Sequence, residues 1–192
     1  CDKDIVSKRG IKLNREMLTK DINRIIGDPE IDIVVELMGG VHPAKEIVTK
    51  SLDAGKHVVT ANKLLLADEG QAIFEKAENS DRQVLFEASV AGGVPIIKAI
   101  RESMAANTFS SIFGILNGTS NYILSRMSSE GCAFKTALLE AQSKGYAERN
   151  PLLDIKGFDS AHKLAILSYL AFGKRILIKD IYVEGIEKIS PI

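Results

Sequence analysis

A charge of one sign is what this sequence lacks first. Its 25 Lys and Arg balance 25 Asp and Glu, so the basic footprint of a nucleic-acid or anionic-membrane binder is missing. Cysteine is scarce as well. Cys1 and Cys132 are too few for a disulfide framework or a metal cluster, and a reducing cytoplasm is the expected setting. No apolar run approaches the roughly 18 residues of a spanning helix, and no signal peptide is expected ahead of the fold. Internal repeats and low-complexity tracts are absent too. What remains is 192 residues, 45% of them hydrophobic, enough for one large or two small globular domains. The chain opens on Cys1 without a Met and stops at Ile192 directly after a strand-like run. A piece of a longer protein is the expectation.

The richest stretch runs from Gly145 to Leu167, GYAERNPLLDIKGFDSAHKLAIL. A twelve-residue loop, Tyr146 to Gly157, carries Glu148, Arg149, Asp154 and Lys156. Long loops without structure of their own are often functional. A helix follows, with Asp159 at its start and Gly173 beyond its end as a cap pair. Spacing of i, i+4, i+7 and i+11 puts Asp159, Lys163, Ile166 and Leu170 on one stripe. The acid and the amine therefore continue the apolar face and point inward. An ordinary i,i+4 salt bridge worth a few tenths of a kcal/mol satisfies the same pattern. The carboxylates of the preceding loop, brought to the same helix end, favour a functional pair.

Elsewhere the pattern is strand, helix, strand, helix, strand. Thr19 caps a short helix through Ile26, and Ile31 to Leu37 reads as a strand buried on both faces. Pro43 starts a helix with Ala44, Ile47, Val48 and Leu52 inward, ended by Gly55. His57 to Thr60 is a second strand, Leu64 to Ala77 a helix, Gln83 to Ala88 a third strand. Such alternation predicts right-handed crossovers and a parallel sheet. Ligands bind beyond the carboxyl ends of such strands, here Gly39-Gly40, Ala61-Asn62-Lys63 and Ser89 to Gly93. Gly39 and Gly40 let backbone approach a phosphate or nicotinamide closely. Lys63 stands at the strand-to-helix turn, where a functional amine and a plain solvated lysine are both reasonable. Further on, Pro95 starts a helix, Thr108 to Leu116 reads as a strand, and Asn117-Gly118 turns it. Thr119 or Ser120 caps the next helix, Phe134 to Ala141 marks another, and Ile181 to Ile186 looks like a last strand.

Five ordered blocks, IDIVVELMGG (31–40), GKHVVTANKLLLA (55–67), FEASVAGGVPII (86–97), GILNGTSNYIL (114–124) and the stretch 145–167, resemble homoserine dehydrogenase over nearly the whole chain. The last block is similar to the single-activity form rather than the form fused to aspartate kinase. The resemblance implies an α/β fold: an incomplete Rossmann-type parallel sheet (1–88), the remainder of an NAD(P)-binding domain, followed by a truncated α+β substrate and dimerisation region (89–192). It implies reduction of aspartate 4-semialdehyde to homoserine with NADP or NAD, in threonine, methionine and isoleucine biosynthesis, by a cytoplasmic homodimer. It makes Lys163 the proton donor with Asp159 beside it, and Lys63 a second active-site lysine near the nicotinamide. Glu148 and Asp154 become substrate ligands, Glu148 as the carboxylate opposite the substrate α-ammonium, with Tyr146 and Thr119 in the same pocket. Gly39, Gly40 and Lys63 face the cofactor, and Glu87, Val90, Gly92 and Val94 fall on a sodium-binding loop.

The chemistry suits those residue types. Hydride addition to an aldehyde builds negative charge on oxygen, which an ammonium can stabilise and then protonate. Two departures from the family pattern stand out. Its GxGxxG turn and first strand do not appear, and Arg149-Asn150 stands where Ala-Asp is common. Two other readings remain open at this level: an inactive fragment that binds a small amino acid and dimerises, and another Rossmann dehydrogenase acting on an amino acid.

Overall fold

The computed structural model describes residues 1–7 and 10–190. The part of the polar opening stretch at Lys8 and Arg9, and the terminal Pro191 and Ile192, lie outside the described residues. The chain divides into two compact units, Cys1–Phe86 and Glu87–Ile192.

The first unit is built on three parallel strands in the order β1-β2-β3: Ile33–Glu36, His57–Thr60 and Val84–Leu85. The register pairs Ile33 with His57 and Val58 with Val84. Crossovers run through α2 (Ala44–Asp53) and α3 (Lys63–Asn79), after a short α1 (Ile22–Ile26). Parallel neighbours need such crossovers, because a tight turn reverses the chain. Val34, Val58 and Val84 are buried together with Val48, Leu52, Leu65 and Ile73, while Phe86 stacks on Phe74 at 5.0 Å between ring centroids.

Three expectations need correction here. β1 is not buried on both faces. Val34 and Glu36 are buried, but Ile33 and Val35 are 55% and 58% exposed, since the helices of this unit cover one side of the sheet. β3 is two residues long rather than six, because the chain turns into a 3-10 helix at Glu87–Ser89. The α1 cap is Asp21, whose side chain accepts the Asn23 N–H, while Thr19 Oγ1 accepts that of Asp21.

The second unit is helical among the described residues. α4 (Ile96–Lys98) runs on into a π turn, Ala99–Ser103, and α5 (Gly118–Glu130), α6 (Phe134–Ser143), α7 (Leu152–Ile155) and α8 (Phe158–Phe172) follow. Its centre holds Ile123, Met127, Ala137, Ala141, Ala147 and Ile155. The strands expected at 108–116 and 181–186 are not formed. A strand needs a hydrogen-bonded neighbour, and none of the described residues ladders onto either segment; Phe113 and Tyr182 are 92% and 86% exposed. The loop 146–157 is not structureless either, since Pro151 starts the single turn of α7.

α8 begins at Gly157, with φ of 84°, where a Cβ would lie 2.9 Å from Val183 Cγ1 and 3.1 Å from the Glu184 carbonyl. Only glycine fits both the left-handed backbone and that contact. The helix ends at the left-handed Gly173, as its sequence predicts. No helix among the described residues is long and apolar enough to cross a membrane.

α5 and α6 are also pinned by charge. Glu140 accepts from Arg126 Nε at 2.9 Å and pairs with Lys144 at 2.7 Å. Hydrogen bonding from Lys144 foremost, with the Arg126 guanidinium beside it, holds the Glu140 carboxyl down at about 2, from an ordinary 4.5. A depressed carboxylate stabilises the fold fully above its unfolded value, and that contribution drains away as pH falls through the folded one. Glu140→Gln should therefore lower the thermal midpoint at neutral pH and flatten its decline between pH 4.5 and 2. The two proteins should converge at the acid end. Parallel melting curves of mutant and wild type across that window would expose the assignment as wrong.

Candidate active site

The carboxyl edge of the parallel sheet carries two turns. After β1, Gly39 and Gly40 have φ of 75° and 73°; a Cβ at Gly39 would meet nothing within 4 Å, and one at Gly40 only the His42 carbonyl oxygen at 3.9 Å. A bound group can thus approach the backbone there. After β2, the buried Asn62 caps α3 by accepting the Leu65 N–H at 3.1 Å and donates to the Gly40 carbonyl at 2.7 Å. One side chain so ties both turns together. Lys63, half-buried, is the first residue of α3.

The second unit contains a cleft of about 660 Å³. The α5 start supplies Asn117 and Thr119, the turn after α6 supplies Tyr146, and α7 and α8 supply Asp154, Asp159 and Lys163. Lys163 Nζ sits 2.7 Å from Asp159 Oδ2 and donates to the Leu116 carbonyl, also at 2.7 Å. An ammonium has three donors, so one N–H remains for a ligand. The pair is deeply set, with side chains 16% and 3% exposed, well removed from an exposed i,i+4 bridge. Its place on the stripe with buried Ile166 is where the spacing puts it.

Nothing in the sequence singles out Asn117. Its amide donates to Asp154 Oδ1 at 2.6 Å and to Asp159 Oδ2 at 2.8 Å, while its carbonyl oxygen accepts the Ser120 N–H and caps α5. The cap is therefore Asn117, not Thr119 or Ser120. An Asn-Gly pair reads as a turn, and no local signal announces partners 37 and 42 residues away. Thr119 Oγ1 instead donates to the Tyr146 carbonyl at 2.5 Å, and the Tyr146 ring packs on Tyr122 at 4.8 Å. Asp154 and Asp159 against Lys163 leave one excess negative charge among the lining side chains.

Other expected residues lie elsewhere. Glu148 is exposed, and its side chain does not line the cleft; its carbonyl accepts from Gln142. Arg149 and Asn150 are exposed and outside the lining as well. Lys63, Gly39 and Gly40 belong to the first unit. Glu87 directs one oxygen to the Ile97 N–H at 2.9 Å and the other to the Lys98 N–H at 2.8 Å, at the start of α4. Beyond it Val90 is buried, Gly92 and Val94 are exposed, and the Ala91 and Val94 carbonyls accept from Val94 and Ile96 N–H. No group of three His, Cys, Asp or Glu side chains gathers to hold a metal among the described residues.

By class, then, the chain joins a parallel α/β sheet with a glycine-bearing carboxyl edge to a unit holding a lysine–carboxylate cleft. Residues 1–87 match the family model described as the NAD-binding domain of homoserine dehydrogenase, and residues 95–192 match the model described as homoserine dehydrogenase. The chain belongs to the homoserine dehydrogenase family. The homoserine dehydrogenase of Synechocystis sp. is 48% identical over 96% of this chain, and that of Neisseria gonorrhoeae 53% over 89%. The crystal structure of a homoserine dehydrogenase from Thiobacillus denitrificans matches with a TM-score of 0.85 at 52% identity, covering 90% of this chain and 40% of that one. A hyperthermophilic archaeal homoserine dehydrogenase in complex with NADPH matches at 0.80 and 26% identity, over 91% of this chain and 53% of that one. The chain spans 42% and 39% of the length of the two curated relatives.

Proposed function

We propose that the complete gene product interconverts L-homoserine and L-aspartate 4-semialdehyde with NADP or NAD, in threonine, methionine and isoleucine biosynthesis. The observation that carries this is the buried Asp159–Lys163 pair opening on a cleft with Asp154. In the reducing direction a hydride adds to the aldehyde carbon, the C=O electron pair moves to oxygen, and Lys163 gives that oxygen a proton, leaving a primary alcohol. Asp159 orients the ammonium and balances its charge, and Asn117 holds Asp159 in place. The surplus negative charge at Asp154 suits the α-ammonium of the substrate. Glu148, on the exposed turn that follows the lining residue Tyr146, adds at most a weak, solvent-screened contact to the same ammonium, and Tyr146 and Thr119 shape the cleft wall.

We assign residues 1–88 to the cofactor and 89–192 to substrate binding and dimerisation. The open backbone at Gly39 and Gly40 and the amine of Lys63 fit a dinucleotide, and the NADPH complex of the archaeal relative supports the choice. When bound, the nicotinamide supplies or accepts the hydride. A sodium ion at the 87–94 loop is the finer part of the proposal. The carbonyls of Val90, Gly92 and Val94 are the hard neutral oxygens such an ion takes, and the Glu87 carboxylate keeps lone pairs beyond its two N–H partners. A homodimer completes the reading.

The test is homoserine-dependent reduction of NADP and of NAD by the complete gene product, followed by nicotinamide absorbance. A folded protein with no turnover on either cofactor would sink the proposal.

A further inference from the structure

Glu36, the last residue of β1, is 2% exposed. A carboxylate is costly to bury unless its oxygens find donors. Oε1 accepts the Met38 N–H at 2.6 Å, and Oε2 accepts the Thr60 hydroxyl at 2.7 Å. Thr60 Oγ1 in turn accepts the Asn62 N–H at 3.0 Å, and the Asn62 amide donates to the Gly40 carbonyl at 2.7 Å. The backbone from Met38 to Gly40 closes the ring. Its three side chains are all nearly buried, Thr60 at 1% and Asn62 at 5%.

Strand pairing does not require this ring. Glu36 and Thr60 are already partners in the β1–β2 register, and an apolar pair of similar volume would pack as well without any desolvation cost. What the carboxylate adds is a hold on the backbone of residues 38–40. Two adjacent glycines with positive φ have many alternative conformations, and the N–H of Met38 and the carbonyl of Gly40 are the points where the ring grips them.

We infer that Glu36 is a positioning residue for nicotinamide-nucleotide binding, acting through Thr60 and Asn62 to hold the 38–40 turn in the shape that receives the cofactor; this rests on the assignment of Gly39 and Gly40 above. A glutamine at position 36 keeps the shape, but its amide nitrogen cannot accept from Met38 or Thr60. In the complete gene product, Glu36→Gln should raise the Kd for NADPH, titrated by nicotinamide fluorescence without substrate, and with it the KM for NADP or NAD, about tenfold, equivalent to about 1.4 kcal/mol. The KM for homoserine should change by less than about twofold. Thr60→Val should follow Glu36→Gln, and Thr60→Ser, which keeps the hydroxyl, should remain near wild type. The Thr60 pair reads the same ring should Glu36→Gln fail to fold. A cofactor KM unchanged in Glu36→Gln or Thr60→Val, or both KM values rising together, would reduce the ring to scaffolding and overturn the inference alone. A wild-type protein that binds neither cofactor would overturn the function reading and the inference with it.

Discussion

Lys163→Ala in the complete gene product should lower kcat about a thousandfold or more, close to 4 kcal/mol in barrier. Two effects combine. Loss of a positioned general acid alone removes about 10² to 10⁴, and the developing oxyanion also loses its nearest cation. Truncation has a structural consequence, because Asp159 is 2% exposed and would lose its ammonium. The Asn117 amide still reaches Asp159 at 2.8 Å, so the carboxylate is not left without a donor, and the fold should survive. Lys163→Arg separates the two roles. A guanidinium keeps the positive charge and can bridge Asp159 and the Leu116 carbonyl, but it does not give up a proton. Lys163→Arg should therefore melt close to wild type and still turn over at less than about a tenth of the wild-type rate. A brisk Lys163→Arg enzyme would make the lysine an electrostatic anchor only, and the proton would have to come from elsewhere.

That pair is legible in the amino-acid order alone. Periodicity sets Asp159, Lys163 and Ile166 in one line, and Gly173 marks the helix end through its need for positive φ. β2 and the bounds of α2 are equally plain, because each is a short apolar pattern closed by its own punctuation. The failures share a cause. A largely apolar run such as IDIVVEL does not tell which side of a strand a helix will cover, so it places Ile33 and Val35 wrongly inside. The segments 108–116 and 181–186 have strand composition, yet a strand exists only through its neighbour. Asn117 is hidden for the same reason. Capping is written within three residues of a helix start, whereas its bonds to Asp154 and Asp159 are a property of how α5, α7 and α8 come together. Glu36 directly follows the apolar Ile33 to Val35, and only its partner Thr60, 24 residues on, shows what the charge is doing there.

The same distinction between local and assembled signals decides which carboxylate receives the substrate ammonium. Read from the sequence, Glu148 takes that role and Asp154 is a second substrate ligand; the cleft reverses the order, because Glu148 is not among its lining side chains. Asp154 lines the cleft with Lys163, and its Oδ1 is aimed by the Asn117 amide at 2.6 Å. Glu148 is exposed to solvent, where an ionic contact is screened and weak. Asp154→Asn keeps the shape and cancels the excess negative charge of the cleft, so the KM for homoserine should rise at least about tenfold. A charge-assisted hydrogen bond is worth roughly 1.5–3 kcal/mol. kcat should change far less, because the ammonium is bound alike in the ground and transition states. Glu148→Gln should move the KM by less than about threefold, as an exposed pair contributes at most about 1 kcal/mol. The reverse ordering, with Glu148→Gln the more damaging, would assign the ammonium to Glu148 and require the turn at 147–150 to fold over the bound substrate. A fall in kcat with KM unchanged in Asp154→Asn would instead place Asp154 in the chemical step, aligning Asp159 and Lys163 through the shared amide of Asn117.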